Sequence, residues 1–235
     1  MQKFQNILLK LNAIVSFEFR HKSIRPYFTN STVEKQQQIN NVEIIGTIHK
    51  HLFTQPSGYR SFLVLTKEPK NQFLYHMIGT RIPLQFRVGQ RVRFVGYLNS
   101  QNKWNEQNEL RQKVIIKANE AEILTNDSDQ ATDKNEVILK SEICSEIENT
   151  VNRIEFTVAT KHIPRGGRAA GISLEESHRI IVYDKVLLDF VRKQLEKSDR
   201  VEIQGKVRYK FDKNSKGEQE SSGYILANQI KKESK

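Results

Sequence analysis

Between Ser177 and Ile230 the hydrophobic period of the chain changes twice, and few folds accommodate that order. Val201, Ile203 and Val207 alternate with Arg200, Glu202, Gln204 and Lys206, the period of two of a strand with one buried face. Upstream, Leu187, Phe190, Val191 and Leu195 recur at three- and four-residue steps, which predicts a helix with one apolar stripe. The segment SHRIIVYDK precedes that helix and reads as a strand. A turn cluster at Asn214, Ser215, Lys216 and Gly217 leads to a closing strand from Tyr224 to Ile230.

A helix between the third and fourth strands of a five-stranded set is the layout of an OB barrel, a fold whose strand face and loops bind single-stranded nucleic acid. The order SHRIIVYDK, helix, DRVEIQGKVRYKFDKN and closing strand resembles the bacterial and mitochondrial single-stranded DNA-binding proteins. The resemblance covers roughly Val137 to Lys232. It departs from the bacterial pattern at Ser177, where those members carry Trp before the equivalent of His178. It departs again at the C-terminus, where QIKKESK follows the last strand in place of an acidic tail with an apolar tip.

The region before it repeats the pattern. VEIIGTI (42–48), SFLVL (61–65), FLYHMI (73–78), RVRFVGYL (91–98) and KVIIKA (113–118) read as five strands. Asn41-Val42 aligns with Glu136-Val137 at an offset of 95 residues, His76 with His178 at 102, and both Arg91 with Arg200 and Gly96 with Gly205 at 109. The offset grows only in connections, as a duplicated barrel tolerates. In the first copy the helix shrinks to TRIPLQFRVGQ, where Pro83 limits its length. The expected fold is all-β with a short helix per domain, as two tandem OB-fold five-stranded barrels. The expected organisation is a mitochondrial transit peptide over 1–33, a divergent OB domain over 40–124, an acidic linker over 125–136 and the resembling OB domain over 137–232.

Charge distribution supports that division. Of the net charge of +11, the segment 1–39 carries +4, 40–124 carries +6, 125–136 carries −3 and 137–235 carries +4. Residues 1–33 hold the single acid Glu18 against five Lys and Arg, with Phe4, Ile7, Leu8, Leu11 and Val15 on one helical face, the profile of a mitochondrial transit peptide. No apolar run approaches the roughly 20 residues that span a bilayer. The one cysteine, Cys144, excludes an internal disulfide framework and is expected as a core thiol on an alternating strand. The six histidines show no metal-ligand spacing, so neither an enzymatic centre nor a cofactor is expected.

Single-strand binding needs aromatic faces for stacking and cations along the backbone path. In the first copy the candidates are Trp104 with Lys103 in the polar loop NSQNKWNEQNE, Tyr59 and Arg60 after the QPSG turn, Tyr75, Arg91 and Arg93. Phe86 and Phe94 are expected in the core. In the second copy, the glycine-rich loop 161–176 offers Lys161, Arg165 and Arg168. The strands offer Arg179 and Arg208, and the resemblance assigns stacking roles to Tyr183, Tyr209 and Phe211. His178 is expected to be structural or to contact the nucleic-acid backbone.

The resemblance implies a mitochondrial matrix protein of the nucleoid that coats single-stranded DNA in replication or repair, with possible replication or processing proteins as partners. Because that family assembles four OB domains as a homotetramer, two per chain imply a homodimer. Two further readings stay open: an RNA-binding accessory subunit of a mitochondrial RNA-processing complex, and a structural subunit whose OB surfaces have become protein interfaces.

Overall fold

The computed structural model describes residues 38–104, 110–124, 132–162, 174–213 and 219–233. The expected transit peptide, most of the linker, Arg165 and Arg168 lie outside the described residues. So do the side chains of Lys103 and Trp104.

Alternation sets the strands. Strand β1 (Ile39–Thr54) buries Val42, Ile44 and Ile48 and turns Glu43, Ile45 and Thr47 outward. It is followed by β2 (Arg60–Glu68), β3 (Gln72–Thr80), β4 (Arg91–Trp104) and β5 (Leu110–Ile123). These five pair in a closed ring: β1 with β2, β2 with β3, β3 with β5 in parallel, β5 with β4, and β4 with β1. Closure leaves no free sheet edge.

The second half follows the same order with β6 (Lys134–Ile143), the two-residue β7 (Glu148–Asn149), β8 (Ile154–His162), β9 (Leu174–Val182), β10 (Arg200–Lys213) and β11 (Gln219–Lys232). Here β6 pairs with β8, β8 with β9, β9 with β11 in parallel, β11 with β10, and β10 with β6. The parallel contact Ile78↔Ile116 in the first ring corresponds to Ile180↔Ile225 in the second, at the offsets of 102 and 109 read from the sequence. Each ring has a bulge at the aligned glycine, Gly96 in one and Gly205 in the other. A Cβ there would lie 1.9 Å from the Lys117 carbonyl oxygen or 2.5 Å from that of Leu226, so both positions require glycine.

The connections between third and fourth strands differ from expectation. Helix α1 (Lys185–Gln194) forms in the second half, where Asp184 caps it by accepting from the Leu187 amide at 3.0 Å and Leu188 and Val191 enter the core. No helix forms at the corresponding 81–90 segment. Pro83 lacks the amide proton a helix needs, and the Arg60 guanidinium donates to the carbonyls of Ile82 and Leu84 (2.6 Å for Leu84), holding the chain extended. Phe86 then fills the core in place of a helical stripe, its ring edge-on to Phe62 at 5.2 Å and 5.4 Å from Phe94. One α-helix, not one per half, is the outcome among the described residues.

The two rings join through β1 and β6, which pair antiparallel from Ile39↔Lys140 to Ile45↔Lys134. Val42 faces Val137, its own aligned counterpart, and Asn41↔Ile138 mirrors Glu43↔Glu136. The ladder therefore has the self-complementary pattern of a two-fold contact, formed within one chain. Cys144 departs from expectation: it follows β6, is exposed, and donates its thiol to the Thr157 carbonyl at 3.3 Å.

Candidate nucleic-acid interface

Each half projects a long hairpin arm, β4 with β5 and β10 with β11, and each arm lies across the other half. Both pairs continue past the sequence-predicted strands, to Trp104↔Leu110 and Lys213↔Gln219. Trp104 is thus the last residue of β4, not a loop residue. On the first arm, sequence alternation missed the extension because Asn99 to Asn102 carry no apolar face.

Polar pairs hold the arms in place. From the first arm, Ser100 Oγ lies 2.9 Å from His178 Nδ1, and Gln112 Nε2 donates to the Ser177 carbonyl at 2.6 Å while its Oε1 accepts from the Arg179 amide at 2.9 Å. Glu176 accepts from the Asn99 amide group and from the Ser100 backbone, and burial lifts its carboxyl to about 6. His178 is itself fixed by Thr160 Oγ1 at 2.7 Å, so its role is structural. The aligned pair in the first half is His76 Nε2 with Thr66 Oγ1 at 2.9 Å, and there the second arm supplies the Tyr209 ring, 5.8 Å away. Burial holds the His76 ring neutral, lowering it to about 3.

The structure separates the candidate side chains into available and engaged groups. Phe211, on the β10 arm, is 52% exposed, and Tyr183, just beyond β9, is 49% exposed. Tyr224 stands opposite Arg208 across the β10–β11 hairpin and feels the charges of Arg208 and Arg179. Tyr183, Tyr224, Arg208 and Arg179 form an aromatic and cationic group on the second half, and Phe211 lies farther along the same arm. Tyr224 was not a sequence candidate, because the alternation marks only that it faces outward. Lys161 is exposed, 3.7 Å from Glu175. Phe73, at the start of β3, is 55% exposed and was likewise missed.

The other candidates are committed within the protein. Tyr209 has a half-buried ring and a buried hydroxyl whose ionisation is pushed upward by burial, so it is no stacking platform in this arrangement. Tyr59 accepts from Lys117 Nζ at 2.6 Å, its ring lies 4.3 Å from the same ammonium, and burial raises its hydroxyl to about 12. Tyr75 packs edge-on to His49 at 5.1 Å. Arg60 braces the 82–84 carbonyls, as described above.

The remaining cations face carboxylates: Arg91 lies 2.5 Å from Asp133, Arg93 is 2.5 Å from Glu43, Arg179 grips Glu155 with Nη2 at 2.8 Å, and Arg208 reaches Glu68 at 3.1 Å. Among the described residues, no group of three His, Cys, Asp or Glu side chains could hold a metal ion, and no helix is long and apolar enough to cross a membrane.

Against this geometry, residues 135–232 match the model of the single-strand binding protein family. That match spans the second half of the chain. The wild-type single-stranded DNA binding protein from Thermus aquaticus is 15% identical, aligns over 85% of this chain and 95% of its own, and superposes with a TM-score of 0.56. A deletion mutant of that protein gives 13% identity, 84% and 96% coverage and a TM-score of 0.55. These likenesses span both halves and show the fold. A Plasmodium falciparum single-strand binding protein, solved with single-stranded DNA, is 21% identical over 45% of this chain and 99% of its own, with a TM-score of 0.40. No curated protein sequence matches the chain.

Proposed function

We propose that this chain binds single-stranded DNA, through aromatic stacking and phosphate neutralisation with little sequence readout. The observation that carries the reading is the group of Tyr183 and Tyr224 with Arg179 and Arg208, and the exposed Phe211 on the same arm, in the half that matches the single-strand binding protein family model. Stacking on such rings contributes about 1–3 kcal/mol per base and is indifferent to base identity. Trp104 and Lys103 belong to the corresponding arm of the first half, so both arms are proposed to contact the strand.

The finer reading is a protein of the mitochondrial matrix that coats single strands during replication or repair, with residues 1–33 as a cleaved targeting segment, 40–124 and 137–232 as two domains and 125–136 as their linker. The N-terminal profile of residues 1–33 supports the compartment. The self-complementary β1–β6 junction already assembles two barrels within a chain, and a homodimer would present four. Native mass spectrometry giving a monomer only would remove that part.

A second reading, in which the surfaces are protein interfaces, is favoured by one observation: Arg91, Arg93, Arg179 and Arg208 all face acids of the same chain. Anisotropy of labelled oligo(dT), oligo(U) and duplex DNA separates the readings. The proposal expects oligo(dT) to bind most tightly and duplex most weakly. Preference for oligo(U) would move the assignment to RNA, and no binding at low salt would leave the interface reading.

A further inference from the structure

The two arms are held by their opposite halves in chemically different ways. On the first arm, Glu176 accepts from the Asn99 side chain and the Ser100 amide. On the second arm, the acid is Glu68, the last residue of β2, whose side chain is only 6% exposed. Its Oε2 accepts from Lys206 Nζ at 3.0 Å and from Arg208 Nη2 at 3.1 Å. At the offset of 109 residues that relates the arms, Lys206 and Arg208 correspond to Tyr97 and Asn99, so this pair of cations has no counterpart at the aligned positions of the first arm. Arg208 also stands opposite Tyr224, beside Tyr183, so the acid holds a cation that belongs to the aromatic group.

A carboxylate oxygen shared by a lysine and an arginine has the charge and acceptor geometry that a backbone phosphate would offer the same pair. Resting on the single-strand reading above, we propose that Glu68 is a built-in competitor for the nucleic-acid phosphate: a strand engages the second half by taking Lys206 and Arg208 from Glu68. Affinity on that face is then set by an exchange of one anion for another. Each cation that enters already neutralised contributes less counterion release than a free one, which lowers the salt dependence of binding. The β10–β11 arm, with Phe211 on it, is thus the one whose ionic restraint is traded.

The test measures anisotropy of labelled oligo(dT) with the full chain across a salt series, together with the thermal midpoint of each variant. Glu68→Gln keeps the side-chain volume and one acceptor but removes the competing charge. The proposal expects oligo(dT) affinity at low salt to rise by about tenfold and the log-log salt slope to steepen by about 0.7–1.4, the contribution of one to two released contacts. Unchanged affinity and slope, or weaker binding with an unchanged thermal midpoint, would overturn it.

Lys206→Gln supplies an arm that does not depend on removing the acid, since Arg208 still neutralises Glu68. Because Lys206 is already paired, this variant is expected to cost less than about twofold in affinity in the wild-type background and to cancel about half of the Glu68→Gln gain when combined with it. An equal cost in both backgrounds would overturn the exchange. If the wild type itself does not bind oligo(dT) at low salt, the single-strand reading fails and takes this inference with it. Wild-type binding that ignores both substitutions rejects the exchange alone.

Discussion

Glu176 sits where β9 meets the first arm, 6% exposed, with its two oxygens turned to Asn99 and Ser100. Burial raises its carboxyl to about 6, so the folded state takes up a proton there at higher pH than the unfolded chain, which does so near 4.5. The sign follows: as pH falls from about 6 to 4.5 this group adds stability, and above 6 its ionised form costs up to about 2 kcal/mol. His76 acts in the opposite direction, because its ring is held neutral and the unfolded chain binds the proton from about 6.5 downward. Comparison with Glu176→Gln isolates the acid: thermal melts should show the variant more stable than wild type at pH 8 and the difference shrinking toward pH 4.5. A variant less stable than wild type at pH 8 would show that the hydrogen bonds outweigh the buried charge.

Glycine carries the other residue-scale consequence. A methyl group at Gly205 would stand 2.5 Å from the Leu226 carbonyl and 2.9 Å from the Ile225 side chain, so the β10–β11 bulge must open. Gly205→Ala is expected to cost about 1–3 kcal/mol, read as a lowered thermal midpoint. The aligned glycines and the His76 with His178 match were legible in the sequence. The hydroxyl partners Thr66 and Thr160 were not, because a buried side-chain pair leaves no period behind it.

At the scale of elements, the strand centres were legible because alternation reports one buried face, and α1 because its stripe has helical spacing. The first-half connection was read as a shortened helix, and the structure replaces it with an extended segment. The cause is visible at Pro83, Arg60 and Phe86 together: a ring plugs the core and a guanidinium satisfies the carbonyls that a helix would have paired internally. The extension of the first arm escaped sequence reading since Asn99 to Asn102 carry no apolar face, and side-chain partners such as His178 and Glu176 lie on the opposite half. The function proposed for the arms has a direct check. Phe211→Ala removes an exposed ring, so it should leave the thermal midpoint within about 1 °C while weakening oligo(dT) binding by about 1–3 kcal/mol. Tyr209→Ala should instead lower the midpoint, because that ring packs beside His76 and against the core.

For the whole molecule, β1 and β6 convert two rings into a single unit through a ladder in which Val42 meets Val137. Periodicity in β1 and β6 announced two strands but not that they pair, since an edge of backbone donors carries no side-chain signature. The net charge of +11 pointed to a polyanion. The structure refines this reading, because many of the cations on the strands are paired with carboxylates of the same chain, leaving stacking to supply much of the proposed affinity.

The decisive measurement is a titration of Trp104 fluorescence with oligo(dT) at two salt concentrations, Trp104 being the only tryptophan in the chain. The account predicts substantial quenching at both salts, with a log-log slope near −0.7 for each phosphate contact and few such contacts in total. Absence of binding at low salt would contradict the central claim and leave these two joined rings as a surface for other proteins.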